Sequence, residues 1–159
     1  NKLDKADQRA EEVLNETLEI NGEKLTFCST TIGNPHCVVL HRNISAEETI
    51  RLGPLIETHP SFPNRTNVQL LEVLNRKTIR IEIWERGAGY TLASGSSSSV
   101  AAAVAYRLGL CDAKIAVLMP GGQIDIAISD NYEITMKGSV TRIGKMILDL
   151  ECLDFGIPA

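Results

Sequence analysis

The stretch that decides the fold is GSSSSVAAAVAYRLG, residues 95–109. Its apolar residues recur at the three- and four-residue spacing of one helix face: Val100, Ala103, Val104 and Leu108. Further alanines make the remaining faces small and apolar as well. We predict a helix from Gly95 or Ser96 to Leu108, with Gly109 in the left-handed position that ends many helices. A helix that is apolar nearly all round is expected to be buried.

Stretches typical of strands lie on both sides of this helix. The clearest is Thr78–Trp84, where isoleucines alternate with charged residues. The other predicted strands are Leu25–Thr31, Cys37–His41, Val68–Leu74, Lys114–Met119, Gln123–Ser129, Glu133–Lys137 and Gly144–Glu151. Strands that curl around one helix bury it economically. We therefore expect an α+β fold with antiparallel strands curled around a central buried helix.

Two further helices are predicted outside this core. The run Ser45-Ala46-Glu47-Glu48 is a capping box, in which the serine accepts from a backbone N–H and the glutamate reaches back. It predicts a helix that extends to about His59, with a break at Pro54 as an open alternative. A short helix from Asp4 to Glu16 is the other expectation.

Length and composition favour one globular domain. The chain has 159 residues, which suits a single domain over residues 1–159 or one half of a two-lobed protein. Its net charge of −4 argues against sequence-independent binding to nucleic acid or anionic membranes. No apolar run reaches the roughly 18 residues of a membrane span, and the start lacks the apolar core of a signal peptide. We expect a cytoplasmic protein, unless a leader was removed, and the absence of an initial methionine fits a domain fragment.

The cysteines and histidines predict no metal site. None of the cysteines forms a Cys-x-x-Cys pair, and the histidines do not complete a metal-ligand pattern: Cys28, Cys37, Cys111, Cys152, His36, His41 and His59. Reduced thiols, mostly buried as small apolar side chains, are the expectation.

The segment that carries chemistry is WERGAGYTLASGSSSS, residues 84–99. An adjacent acid and base, Glu85 and Arg86, follow a predicted strand and precede a glycine-rich turn and the start of the predicted buried helix. The first N–H groups of a helix have no internal partner, and its dipole adds roughly half a positive charge there. A substrate carboxylate fits such a site without a metal. Arg86 can grip a carboxylate and Glu85 an ammonium.

On these residues alone, a structural interpretation stays open. The serines can be a helix cap and a polar run, and Glu85-Arg86 can be a surface ion pair. His36 can be an ordinary hydrogen-bonded histidine. Asn34 and Asn67 can be turn residues.

Four ordered blocks resemble those of diaminopimelate epimerases: GNPHCV at 33–38, PNRTNV at 63–68, WERGAG at 84–89 followed by Thr91-Leu92-Ala93, and Pro120-Gly121-Gly122. The resemblance covers about residues 30 to 150. It implies the C-terminal lobe of a fold with two similar lobes, each a set of strands wrapped around a central helix. It also implies an active site between the lobes, where a cysteine from each lobe moves one proton at the substrate's α-carbon. No pyridoxal phosphate, metal or other cofactor takes part.

The same resemblance assigns roles to individual residues. Asn34, Asn67 and Arg86 bind the distal amino-acid end of the substrate. Glu85 also binds there and, together with His36, flanks the catalytic position, so that both are candidate catalytic residues.

The catalytic position itself falls on Ser94, where the family places its second cysteine. The N–H groups of Gly95 and Ser96 hold the carboxylate at the reacting centre and stabilise the charge that grows there. A serine hydroxyl is far less acidic than a thiol, so Ser94 is expected to be a poor proton acceptor, although it can still donate. The family's threonine and glycine become Ser96 and Ser97, and a glutamate becomes Tyr90, which we interpret as a changed pocket.

Several alternatives follow from the resemblance. No block for the first catalytic cysteine is present and Cys37 receives no catalytic role, so this chain alone is expected to be inactive without its N-terminal lobe. Ser94 can be an introduced substitution, a natural variant, which we favour, or the mark of a non-catalytic binding protein. The function is therefore either an epimerase that interconverts LL- and meso-diaminopimelate in lysine biosynthesis, a binding module or related isomerase with another substrate, or a structural domain without a ligand. A homodimer is a further expectation.

Overall fold

The structure is a computed structural model, and it describes residues 13–153 apart from the side chains of Leu150 and Leu153. Nine strands, two α-helices and a short 3-10 helix follow one another in this part of the chain. They are β1 (Val13–Ile20), β2 (Glu23–Thr31), β3 (Pro35–Leu40), α1 (Ala46–Glu57), β4 (Asn67–Asn75), β5 (Thr78–Glu85), β6 (Gly89–Thr91), α2 (Gly95–Arg107), β7 (Lys114–Met119), β8 (Gly122–Ile128), β9 (Ile134–Gly138) and the 3-10 helix Leu150–Leu153.

The strands form one sheet in the order β1-β2-β3-β4-β5-β7-β8-β9, and β6 adds to β5. Most neighbours are antiparallel, but β3 pairs with β4 and β5 pairs with β7 in parallel. A parallel pair requires a crossover connection, and here α1 links β3 to β4 while α2 links β5 to β7. The α+β class is confirmed, and the expectation of a wholly antiparallel sheet is corrected at these two pairs.

Helix α2 is the buried centre of the fold. Eight of its residues are buried, and its apolar side chains pack against isoleucines of β5 and residues of β7 and β8 in one core cluster. Leu108 is the C-cap, and Gly109 follows with a φ of 71°, the left-handed conformation expected of it. The predicted central helix is confirmed.

Helix α1 covers a second core cluster that includes Leu52 and Ile56 of the helix and Trp84 of β5. Ser45 Oγ accepts from the N–H of Glu48 at 3.1 Å, as one half of the capping box requires. The Glu48 carboxylate accepts from Arg51 instead of reaching back to Ser45. Pro54 lies inside the helix without ending it.

Two predicted elements are wrong where the structure describes them. Residues 13–16 of the expected helix Asp4–Glu16 belong to β1, and the rest lies outside the described residues. Asn15 has a φ of 54° and sits at a register shift, which interrupts the alternation that would have marked a strand.

The segment Gly144–Glu151 is the other wrong element, because it forms no strand. Residues 139–149 are irregular, and their apolar side chains have no neighbouring strand to pack on in the part of the chain that the structure describes. Val140, Ile143 and Ile147 are each at least 95% exposed.

Within residues 13–153, neither α-helix has the length and apolar character that crossing a lipid bilayer demands.

Candidate active site

The sheet brings the predicted site residues to one edge. His36 at the start of β3 is the register partner of Asn67 at the start of the parallel strand β4. The antiparallel strand β5 ends beside this point, since Val68 pairs with Trp84. Glu85 therefore ends its strand at the edge where β3 and β4 begin.

A chain of hydrogen bonds joins this edge to the start of α2. His36 Nε2 lies 3.1 Å from Asn34 Oδ1, and His36 Nδ1 lies 3.1 Å from Gln69 Nε2. Gln69 Nε2 also donates to Ser97 Oγ at 3.0 Å. The N–H of Ser97 donates in turn to Ser94 Oγ at 3.4 Å. The structure thus connects Asn34 and His36 with the predicted catalytic position, but His36 makes no direct hydrogen bond to Ser94 within the described residues.

His36 is held in its neutral form. The side chain is fully buried, and this desolvation is the largest cause that lowers the pKa of the imidazole below its usual value. The charge of Arg86 lowers this pKa further, while that of Glu85 raises it. A neutral ring that is hydrogen-bonded on both sides is poorly placed to take a proton from Ser94.

Both polar atoms of the Asn67 side chain are hydrogen-bonded to the backbone. Its Nδ2 donates to the carbonyl of Pro35 at 3.0 Å, and its Oδ1 accepts from the N–H of Arg86 at 2.9 Å. The Arg86 side chain is exposed, and its Nη1 donates to the carbonyl of Asn64 at 3.0 Å. The structure brings both predicted binding residues together, with Asn67 fixing where Arg86 stands.

Glu57 was missed by the sequence analysis, although it holds the turn after β5. Its carboxylate, only 3% exposed, accepts from Trp84 Nε1 at 2.7 Å and from the N–H of Gly87 at 2.9 Å. It also pairs with Arg65. An acid in the last turn of a helix faces the negative end of the dipole, which is the one sequence signal that pointed to special partners.

The start of α2 is both a serine cap and a set of free donors. Ser94, with a φ of −154°, is the N-cap, and its carbonyl accepts from the N–H of Ser98 at 3.0 Å. Ser94 Oγ lies 3.2 Å from Ser96 Oγ. The N–H groups of Gly95 and Ser96 have no hydrogen-bond acceptor among residues 13–153. A serine cap is present, but it is Ser94, whereas Ser96 to Ser99, which the structural interpretation took as cap and polar run, lie inside α2. This cap leaves the two amides that the anion-site interpretation needs.

The side chain of Tyr90 lies on the face of the sheet that α1 covers, opposite to the face that α2 covers. It pairs in register with Trp84, and its hydroxyl donates to Glu82 at 2.6 Å. Burial, followed by this bond, raises the pKa of Tyr90 to about 12. Because Trp84 packs against the core cluster of α1, Tyr90 is on the α1 side of the sheet, while Ser96 and Ser97 belong to α2. The carboxylate of Glu85 has a different partner from that of Glu82, since it accepts from Thr91 Oγ1 at 3.4 Å.

Three of the four cysteines are buried thiols. All four are reduced, as predicted, and only Cys152 is exposed. Burial is the main cause that raises the pKa values of Cys28, Cys37 and Cys111, so these thiols stay protonated.

One group of side chains has the ligand types of a metal site. Atoms of Glu23, His41 and Glu48 lie within 4.8 Å of one another. Arg51 donates to both carboxylates, at 2.9 Å to Glu23 and 2.8 Å to Glu48, and so already supplies the positive charge.

Comparison with solved structures defines the class of fold. The chain is similar to the crystal structure of a hydroxyproline epimerase from Agrobacterium vitis, with a TM-score of 0.55 and 14% identity, over 84% of this chain and 43% of that protein. At this level of identity the likeness concerns the fold alone.

The sequence comparisons identify the family. The family model for diaminopimelate epimerase matches residues 28–143. The chain is 57% identical to "Diaminopimelate epimerase 2" of Nostoc sp. over 88% of its length, and 39% identical to the diaminopimelate epimerase of Alkaliphilus metalliredigens over 83%. The chain belongs to the diaminopimelate epimerase family. It spans about half the length of these curated relatives, 49% and 47%.

Proposed function

We propose that this chain is the C-terminal lobe of a cofactor-independent epimerase that interconverts LL- and meso-diaminopimelate, a step of lysine biosynthesis, in the cytoplasm. One observation carries the proposal: two unpaired amides begin a buried helix whose cap is hydrogen-bonded, through Ser97, Gln69 and His36, to Asn34. The names of the relatives supply the substrate.

The zwitterionic substrate fits this arrangement at both ends. Its reacting carboxylate accepts from the N–H groups of Gly95 and Ser96, where the helix dipole favours negative charge. Arg86 and Asn34 donate to the distal carboxylate, and Glu85 accepts from the distal ammonium. Asn67 contributes by fixing the backbone of Arg86.

The chemistry needs acid–base groups on both faces of the α-carbon. A base removes the α-proton, the electron pair spreads into the carboxylate, and an acid on the opposite face returns a proton with inverted configuration. The two amides at the start of α2 stabilise the charge on the carboxylate as it grows. In our proposal a cysteine of the N-terminal lobe supplies one face, and Ser94 supplies the other mainly as a proton donor.

An impaired or purely binding protein is the second candidate. Its supporting observation is that Ser94 Oγ already accepts from Ser97, and that His36, neutral and bonded to Asn34 and Gln69, supplies no base for it. Such a protein keeps the amino-acid pocket and lacks turnover. A structural or oligomerisation domain without a ligand, the third and weaker candidate, would show neither binding nor turnover.

Solvent exchange separates these candidates. The full-length protein, with both lobes, is incubated with diaminopimelate in deuterium oxide, and deuterium at the α-carbon is measured by mass spectrometry beside calorimetric binding. Exchange above a heat-inactivated control supports the epimerase. Saturable binding without exchange supports the binding protein. The absence of both binding and exchange would contradict the proposed amino-acid pocket.

A further inference from the structure

Gln69 of β4 is a fully buried side chain with an uneven set of partners. Its Nε2 donates to two acceptors, His36 Nδ1 at 3.1 Å and Ser97 Oγ at 3.0 Å. Its Oε1 is buried and has no hydrogen-bond partner among the described residues. A buried acceptor without a partner costs free energy, and the two hydrogen bonds that Nε2 donates offset this cost.

We propose that Gln69 is a positioning residue that fixes His36 as the Nε2–H tautomer and thereby turns the NH2 group of Asn34 toward the ligand. The part that concerns the ligand rests on the function proposed above. The part that concerns His36 depends on the geometry of this lobe alone.

The tautomer follows from the donor inventory of the side chains. In the orientation of the Gln69 amide that the structure shows, its nitrogen donates to His36 Nδ1, and the proton of the imidazole then resides on Nε2. That Nε2–H donates to Asn34 Oδ1, 3.1 Å away. With Oδ1 turned to His36, Asn34 presents its Nδ2 donors to a ligand, which suits a carboxylate better than an ammonium.

Ser97 meets the Gln69 amide from the other side. Its Oγ accepts from Gln69, and its N–H is bound to the cap residue Ser94, so it belongs to the first turn of α2. If the amide rotated by half a turn, Oε1 would face both partners, and the Ser97 hydroxyl and a proton on His36 Nδ1 would donate to it. The proton on Nε2 of His36 therefore belongs to the orientation seen in the structure, and the tautomer reports that orientation.

Changes at Gln69 separate this role from simple packing. Gln69→Leu keeps the volume and removes the donor, so the preference for Nε2–H should disappear and diaminopimelate should bind about tenfold more weakly, the equivalent of one lost hydrogen bond. Gln69→Glu offers an acceptor to Nδ1. His36, which also faces the charges of Glu85 and Arg86, then takes a second proton, keeps Nε2–H on Asn34 and retains affinity within a few fold.

The experiment uses the full-length protein with 15N-labelled histidine. Long-range proton–nitrogen correlation spectra report the tautomer of each ring, and His36→Asn assigns the signal. The parent protein should show Nε2–H for His36 near neutral pH, Gln69→Leu a mixed or Nδ1–H pattern, and Gln69→Glu two protonated nitrogens. Ser97→Ala, which removes only the anchor of the amide, should give an intermediate pattern.

Two results would overturn the inference: a parent His36 that carries its proton on Nδ1, or a Gln69→Leu variant with unchanged tautomer and affinity. The expected tautomers without any binding of diaminopimelate would support the positioning of His36 while counting against the proposed function. The positioning role of Gln69 and the proposed function are therefore contradicted by different measurements.

Discussion

The indole Nε1–H of Trp84 donates to the carboxylate of Glu57 at 2.7 Å, which ties the end of β5 to the end of α1. The same carboxylate accepts from the N–H of Gly87, and so it fixes the turn that carries Arg86. A single buried acid on one face of the sheet thus sets the position of a binding residue at its edge.

Glu57→Leu should destabilise the protein by about 2–4 kcal/mol, because it leaves two donors unpaired in a site that is almost fully buried. Urea unfolding followed by circular dichroism measures the change. Glu47→Leu, at an exposed position of the same helix, should stay within about 0.5 kcal/mol of the parent. Equal effects of the two variants would mean that the Glu57 bonds contribute little.

Ser94→Cys should increase solvent exchange at the substrate α-carbon by roughly 100-fold in the full-length protein. A thiol at a helix N-terminus ionises far more readily than a hydroxyl, and a competent base contributes at least this factor. The measurement is the deuterium exchange assay, with Ser61→Cys, at an exposed loop position, as the control. An unchanged exchange rate would show that Ser94 does not face the reacting carbon.

Arg86→Ala should weaken the binding of diaminopimelate by roughly 30-fold, since a charge-assisted bond to the distal carboxylate is lost. Calorimetry measures the affinity. Arg76→Ala is the matched control, because Arg76 is also exposed but pairs with Asp112 away from the site. Equal affinities of parent and Arg86→Ala would place the pocket elsewhere.

Stability should fall as the pH drops below about 6.5. Burial lowers the folded-state pKa of His36, so the unfolded chain binds a proton first, and the contribution of the neutral ring is complete only above the unfolded pKa. Urea unfolding at pH 7.5, 6.5 and 5.5 measures this slope. His36→Gln should flatten it, and an identical slope in that variant would assign the effect to other groups.

The parts of the fold that the sequence predicts are those with a strong local pattern. Helix α2 and strands β5 and β7 follow from alanine content, capping residues and alternation, and their bounds agree with the structure to within about two residues. Strand β1 was hidden because Asn15 interrupts its alternation, and β6 because three residues are too few for a pattern. The segment around Met146 has the composition of a strand, but a strand also requires a neighbour.

The site shows the same division between local and long-range information. The motif blocks named Asn34, Asn67, Arg86 and the start of α2, and the structure gathers them at one edge. Glu57 and Gln69 could not be found in this way, because their importance comes from hydrogen bonds to residues 27 to 33 positions away in the chain. The motif predicts that Asn67 binds the substrate, and the structure adds that its side chain is hydrogen-bonded to the backbone of Pro35 and Arg86.

The exposed apolar side chains of residues 139–149 have a practical consequence for handling this lobe on its own. Apolar surface is exposed to water at side chains of this segment, among them Val140, Ile143, Met146 and Ile147. Preparations of this chain alone will therefore tend to aggregate as they are concentrated, so dilute samples or a fused solubility tag suit them best.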